Sequence, residues 1–228
     1  MSQEPMQAVA ALIAAAQSLS ARGLNVNKAG NVSVRLARDG VDGFLITPTG
    51  VPYEQLQPCD LSWLPIRADT VVSDAIGKRA PSSEWMMHLA VYRLRGDAQS
   101  VVHTHSPYAT ALACQNLPIP PFHYMVATAG AMSIDVVPYA TFGTAALADS
   151  AATGLFHANA CLLEHHGVLV CAPSLERALS LAVEVENLAH QYVIVRSLGE
   201  PRLLSPEEMQ RVIERFKTYG QPRNKDDE

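Results

Sequence analysis

No stretch of this chain is long and apolar enough to read as a membrane span. The most apolar early segment, Ala8 to Ala16, falls well short of the ~20 residues a helix needs to cross hydrocarbon. It follows Ser2-Gln3-Glu4-Pro5, which has none of the positive side chains that open a secretory signal. Basic residues are also few: 17 Lys and Arg stand against 22 Asp and Glu, for a formal net charge of −5, and no long basic run occurs. That balance weighs against a nucleic-acid surface, while leaving room for a pocket that takes one small anion. The four cysteines, Cys59, Cys114, Cys161 and Cys171, contain no CxxC pair. With no export signal they read as reduced thiols of a cytoplasmic protein, without a chemical role. Proline and glycine are scattered, no segment repeats, and nothing marks a linker. The 228 residues, 48% of them apolar, are therefore expected to form one domain with a sizeable core.

What is present is a mixture of periodicities. Met6, Val9, Leu12, Ile13, Ala16 and Leu19 recur at helical spacing and predict an amphipathic helix ending near Gly23. Asn31–Leu36 and Gly43–Ile46 are short β-type runs separated by Asp39-Gly40 and Asp42-Gly43, the pattern of a hairpin. Thr47-Pro48-Thr49-Gly50 predicts a tight turn, and Leu61–Leu64 a short strand stopped by Pro65. Pro81-Ser82-Ser83-Glu84 reads as a helix start, with a serine cap and an acid in the first turn, running to about Leu94. Further on come a strand at Ser100–His105, a helix at Pro107–Gln115 and strand character at Ile134–Val137. A helix over Thr144–Thr153 precedes one buried strand, Cys161–Val170. Ser174 caps a long helix to about Ser197, and Ser205-Pro206-Glu207-Glu208 is a capping box opening the last helix. The interleaving predicts an α/β domain around a central sheet that the early hairpin keeps from being purely parallel.

Three places carry chemistry. His103-Thr104-His105 ends a strand, where side chains two apart share a face, so two imidazoles converge as zinc or a similar divalent ion requires. Glu164-His165-His166-Gly167 interrupts a second apolar strand. Adjacent strand residues face opposite ways, so one of these histidines should join the first pair; spacing does not say which. Three imidazoles with an open position is a pattern of catalytic zinc. Glu84 is either an acid that offsets a helix dipole or a carboxylate that ligates the metal or moves a proton beside it. Ser82 and Ser83 precede that helix, and Gly30-Asn31 and Thr47-Pro48-Thr49-Gly50 are turns of the kind that cradle phosphate. Tyr124 and Tyr219 have hydroxyls suited to proton transfer, although a buried tyrosine is more often simply hydrogen-bonded. His88 reads as a packed helix residue, and His123, His157 and His190 as structural or exposed.

Taken in chain order, these motifs resemble the class II aldolase/adducin family. The resemblance rests on Ala29-Gly30-Asn31-Val32-Ser33, Thr47-Pro48-Thr49-Gly50, Ser82-Ser83-Glu84-Trp85 and Val102-His103-Thr104-His105. His123-Tyr124-Met125, Tyr139-Ala140-Thr141-Phe142-Gly143-Thr144 and His165-His166-Gly167 continue it. Phe216-Lys217-Thr218-Tyr219-Gly220 is similar to the C-terminal pattern of the branch that cleaves L-fuculose 1-phosphate. It implies a three-layer α/β/α fold with a largely antiparallel sheet, and a four-fold homotetramer with active sites between subunits. It further implies one Zn2+ per subunit on His103, His105 and His166, with Glu84 ligating at rest and acting as acid/base once substrate displaces it. Gly30, Asn31, Thr49, Gly50, Ser82 and Ser83 fall in the family's phosphate-binding segments. Tyr124 matches a proton donor that reaches across the subunit boundary, and Tyr219 a C-terminal tyrosine that helps order the site. One departure stands out: Lys28 occupies a position where these aldolases carry a small hydroxyl residue, so it either strengthens phosphate binding or marks a different anion.

The activity so implied is metal-dependent cleavage of a ketose 1-phosphate to dihydroxyacetone phosphate and an aldehyde. Fuculose, 5-deoxypentulose and methylthioribulose 1-phosphates are all within reach. The same scaffold also serves epimerases, a methylthioribulose-1-phosphate dehydratase, sugar-acid-phosphate decarboxylases and adducin-like modules that bind without catalysing.

Overall fold

A computed structural model describes residues 3–219. Gly220 of the C-terminal motif and Ser2 of the N-terminal segment lie outside them. The elements follow in the order α1 (Gln3–Ala21), β1 (Asn31–Arg35), β2 (Gly43–Ile46), β3 (Ser62–Pro65), α2 (Trp85–Leu94), β4 (Ser100–Thr104) and α3 (Pro107–Cys114). Then come β5 (Val136–Val137), α4 (Ala145–Gly154), β6 (Ala160–Leu163), β7 (Gly167–Ala172), α5 (Leu175–Leu198) and α6 (Pro206–Thr218). The strands form one sheet in the order β3-β2-β1-β4-β7-β6-β5, in which only the β5–β6 pair is parallel.

Strand alternation builds three layers from this sheet. Val32, Val34, Val102, Val168 and Val170 pack into one apolar cluster with residues of α1, α3, α5 and α6. The intervening Val101, Cys161, Leu169 and Cys171 pack into a second cluster with α2 and α4. Period-two side-chain direction divides the strands between two helical layers. Burial on both faces also explains why β6 and β7 are apolar throughout, and every residue of β4 is buried as well. The fold is the expected α/β/α sandwich. Arg95, just after α2, ties the second layer together. It donates to the carbonyls of Leu155 and Ala158, at 2.8 Å each, and to Asn159 Oδ1 at 2.9 Å, while pairing with Asp97.

Most element boundaries fall within a residue or two of expectation, and Thr144, Ser174 and Ser205 cap their helices through side-chain oxygens. Three expectations are corrected. Cys161–Val170 is not one strand but the hairpin β6–β7, because Glu164-His165-His166 folds back on itself and the His166 N–H bonds the Leu163 carbonyl at 3.0 Å. The serine pair does not cap α2: Glu84 holds the N-cap position and makes no side-chain cap bond. Met6 stands outside the buried stripe of α1, 63% exposed.

Among the described residues, no helix is long and apolar enough to cross a membrane.

Candidate metal centre

The β1–β4 register sets Asn31 directly opposite His103, on the α2/α4 side of the sheet. β4 ends at Thr104, so His105 follows the strand and turns its ring back over the same spot. Gly167 opens β7 beside them, where side-chain bulk is not tolerated. A Cβ there would meet the Thr104 carbonyl oxygen at 2.3 Å, His105 Cδ2 at 3.2 Å and His103 Cε1 at 3.3 Å. His165 takes a left-handed φ of 53°, uncommon for a side-chain-bearing residue. The turn it makes delivers His166 to the imidazole pair.

Four donor groups converge. One ligand atom from each of Glu84, His103, His105 and His166 lies within 4.8 Å of the others. The three imidazole centroids are 4.7, 4.7 and 4.9 Å apart. His103 Nε2 approaches His105 Nε2 at 2.9 Å and Glu84 Oε2 at 3.3 Å, and His166 Nε2 approaches Glu84 Oε1 at 3.1 Å. His103 Nδ1 donates to the Val168 carbonyl at 2.8 Å, which leaves the Nε2 lone pair of the neutral ring pointing at the cluster. Glu84 Oε1 is buried without a hydrogen-bond partner despite its nearness to His166, because the geometry is that of atoms facing a common point. His165 stays outside the group and instead sits edge-on to Tyr139.

The cluster also shapes its own electrostatics. Burial pushes the Glu84 carboxyl upward, but His103 and His166 outweigh it and hold the group well below the ordinary carboxylate range. Burial works to lower His103, yet the facing carboxylate leaves it raised. His105 is pushed down to about 3 by burial first and then by the neighbouring imidazoles.

A cleft of about 310 Å³ opens over the cluster. Lys28, Gly30, Asn31, Thr49, Gly50, Ser82 and Ser83 line it together with Glu84, His105 and His166. Segments distant in sequence thus bring hydroxyls, glycine-containing turns and one ammonium to the same cleft as the carboxylate and two of the imidazoles. Gly30 has φ 74°, and a Cβ on it would strike the Asn25 amide at 2.3 Å. Asn25 is itself a member of the site that composition and spacing do not flag: its Oδ1 accepts the His105 backbone N–H at 2.9 Å. Its only signal is a polar residue between Leu24 and Val26. Tyr139, Phe142 and His165 complete the rim.

Tyr124 and Tyr219 do not line this cleft. They sit with Phe216, whose ring is 6.4 Å from that of Tyr124 and 5.8 Å from that of Tyr219, and they are 50% and 78% exposed.

Residues 10–193 match the family profile described as class II aldolase and adducin N-terminal domain. The chain is 46% identical over 209 residues to a 5-methylthioribulose-1-phosphate/5-deoxyribulose-1-phosphate aldolase of Rhodospirillum rubrum, covering 92% of this chain and 90% of that protein. It is likewise 46% identical over 203 residues to an L-fuculose phosphate aldolase of Escherichia coli, covering 87% and 88%. A solved L-fuculose 1-phosphate aldolase superposes with a TM-score of 0.85 at 37% identity, over 92% of this chain and 96% of that one.

Proposed function

The chain belongs to the class II aldolase and adducin family and is an enzyme of its lyase class; from that premise we propose that it is a zinc-dependent aldolase acting on a ketose 1-phosphate. In that role it cleaves the sugar to dihydroxyacetone phosphate and an aldehyde. L-Fuculose, 5-deoxypentulose and methylthioribulose 1-phosphates are the candidate substrates, since relatives named for each type match nearly the whole chain. A binding module without catalysis has no use for a buried carboxylate facing three imidazoles.

The donor set fits a divalent ion of zinc type. Three Nε2 atoms and one carboxylate oxygen are gathered at a buried point, with the His103 tautomer fixed from behind and Glu84 Oε1 otherwise unpartnered. His103, His105, His166 and Glu84 would hold it. When bound, the ion supplies Lewis acidity toward the sugar's oxygens and steadies the negative charge that develops as carbon–carbon cleavage proceeds.

The chain's own groups do the rest. Gly30, Asn31, Thr49, Gly50, Ser82 and Ser83 take the phosphate, and Lys28 adds a positive charge at the mouth of the same cleft. As the C3–C4 bond breaks, its electron pair stays with C3. The C4 hydroxyl proton passes to Tyr124. Glu84, once displaced from the imidazoles that keep it ionised and having taken up a proton, delivers that proton to C3, so one proton is gained and one released. Tyr124 stands away from the cleft of its own chain and is half exposed, so this role calls for Tyr124 of the partner subunit in a homotetramer. Tyr219, more exposed still, would close over the site from the C-terminal side.

The observation that carries this reading is the single cleft uniting an anion-binding rim with the carboxylate–imidazole cluster. The test is a panel of ketose 1-phosphates and oxidised sugar phosphates incubated with the zinc-loaded protein, with products identified. Dihydroxyacetone phosphate plus an aldehyde is expected, and chelation should abolish it until zinc is restored. An epimer, released water or carbon dioxide, or full activity after chelation, would overturn it.

A further inference from the structure

Behind Glu84 runs a buried line of polar side chains, of which the mechanism above leaves His88, Ser33 and Tyr92 unused. Asn31 is 2% exposed, and its Nδ2 donates to Glu84 Oε2 and to Ser82 Oγ, both at 3.0 Å. Its Oδ1 meets His88 Nε2. On the other edge of that imidazole, Nδ1 lies 2.6 Å from Ser33 Oγ, which in turn lies 2.7 Å from the Tyr92 hydroxyl. His88 and Ser33 are wholly buried.

The proton positions follow from what each atom can do. A carbonyl oxygen cannot donate, so the proton in the His88–Asn31 bond is on Nε2. A neutral imidazole carries one proton, so Nδ1 accepts from the Ser33 hydroxyl, and Ser33 Oγ accepts from Tyr92. Burial first, and the nearby His103 second, hold His88 at about 3, which keeps it neutral. The opposite amide orientation would set a carbonyl oxygen against the Glu84 carboxylate, and Nε2–H against an NH2 group. Ser82 Oγ already accepts from Asn31 and, at 3.3 Å, from the Glu84 backbone N–H. Its own proton is therefore free to point into the cleft.

We propose that His88, oriented by Ser33 and Tyr92, is a positioning residue that locks the Asn31 amide so that one NH2 group holds both the Glu84 carboxylate and the anion-binding Ser82 hydroxyl. This rests on the reading of Glu84 and Ser82 given above. The relay couples the proton-moving end of the cleft to its phosphate end through one side chain. His88 touches neither metal nor substrate.

Four full-length zinc-loaded variants test it: His88→Leu, His88→Gln, Asn31→Ala and the His88→Leu/Asn31→Ala double, assayed on whichever ketose 1-phosphate the parent cleaves. His88→Leu should lower kcat/KM by about 10- to 100-fold at the parent's zinc content. His88→Gln, which restores an N–H donor near the Nε2 position, should return to within about threefold of the parent. The double variant should be no slower than Asn31→Ala alone, because His88 acts only through that amide. Independent, multiplying losses, or a glutamine variant as slow as leucine, would overturn the proposal. The 15N spectrum of the parent protein gives a readout separate from activity, and it decides the matter if His88→Leu does not fold. It should show His88 protonated on Nε2 and bare on Nδ1; a proton on Nδ1 refutes the relay. If no ketose 1-phosphate is cleaved by the parent, the substrate reading fails while this spectrum still tests the relay.

Discussion

Replacing Gly167 by alanine probes how the centre is spaced. The added Cβ would sit 2.3 Å from the Thr104 carbonyl oxygen, about 1 Å inside ordinary contact, and 3.2–3.3 Å from two imidazole carbons. The carbonyl belongs to the strand beside β7 and cannot swing aside as a flexible side chain would. β4 and β7 must therefore separate by several tenths of an ångström at the end where His103, His105 and His166 meet. Overpacking of this kind costs about 1–3 kcal/mol, which for a chain of this size lowers Tm by about 2–12 °C. Metal–nitrogen distances tolerate only about 0.2 Å, so the displacement should weaken zinc binding by at least about tenfold. Thermal unfolding of the apo variant measures the first effect, and competitive titration with a chelator the second. A variant that melts with the parent and binds zinc equally well would show that the close approach at Gly167 does not govern the site.

Glu84→Gln should keep the fold but lower apo stability by about 1–3 kcal/mol, since the buried carboxylate accepts from Asn31 and faces His103 and His166, while turnover falls at least about 100-fold; steady-state kinetics beside a melting curve check both parts. Buried His88 has a folded-state value of about 3 against about 6.5 in the unfolded chain. Between those values the unfolded state binds more protons, so His88's contribution is full above about pH 6.5 and is lost as pH falls toward 3. Apo-protein stability should drop by up to about 1.4 kcal/mol per pH unit below pH 6 on this account, and His88→Gln should flatten that slope in denaturant titrations at pH 5, 6 and 7. Arg95→Ala strips donors from two carbonyls and Asn159 at once. It should cost about 2–4 kcal/mol without altering zinc affinity, and chemical denaturation with metal titration separates the two.

The histidine pair was legible because its two-residue spacing on a strand is a geometric statement in itself. The third imidazole was not, because the parity rule assumed an unbroken strand, whereas Glu164-His165-His166 is a hairpin turn. Only the resemblance selected His166, and the convergent group contains it. Glu84 was ambiguous for a physical reason: an acid beside a helix start looks the same whether it faces the dipole or turns inward, and the choice depends on where β1 and β4 place Asn31 and His103. His88 shows the limit of periodicity. A helix face predicts that a residue is buried, but not which polar atom on a neighbouring strand it meets. The anion-binding segments were legible one by one as turns; that they share one cleft depends on the sheet order. Tyr124 and Tyr219 carry no signal within one chain, and their proposed roles depend on assembly.

The sheet order β1-β4-β7 has a thermodynamic corollary. An unfolded chain can offer a cation the neighbouring pair His103 and His105, but Glu84 and His166 arrive only once strands far apart in sequence have zipped into register. A divalent ion is thus a ligand of the finished sheet and hardly of the random coil, so by mass action each tenfold rise in free ion adds about 1.4 kcal/mol to the folding equilibrium. The centre that equips the protein for chemistry would act at the same time as a clasp on its topology.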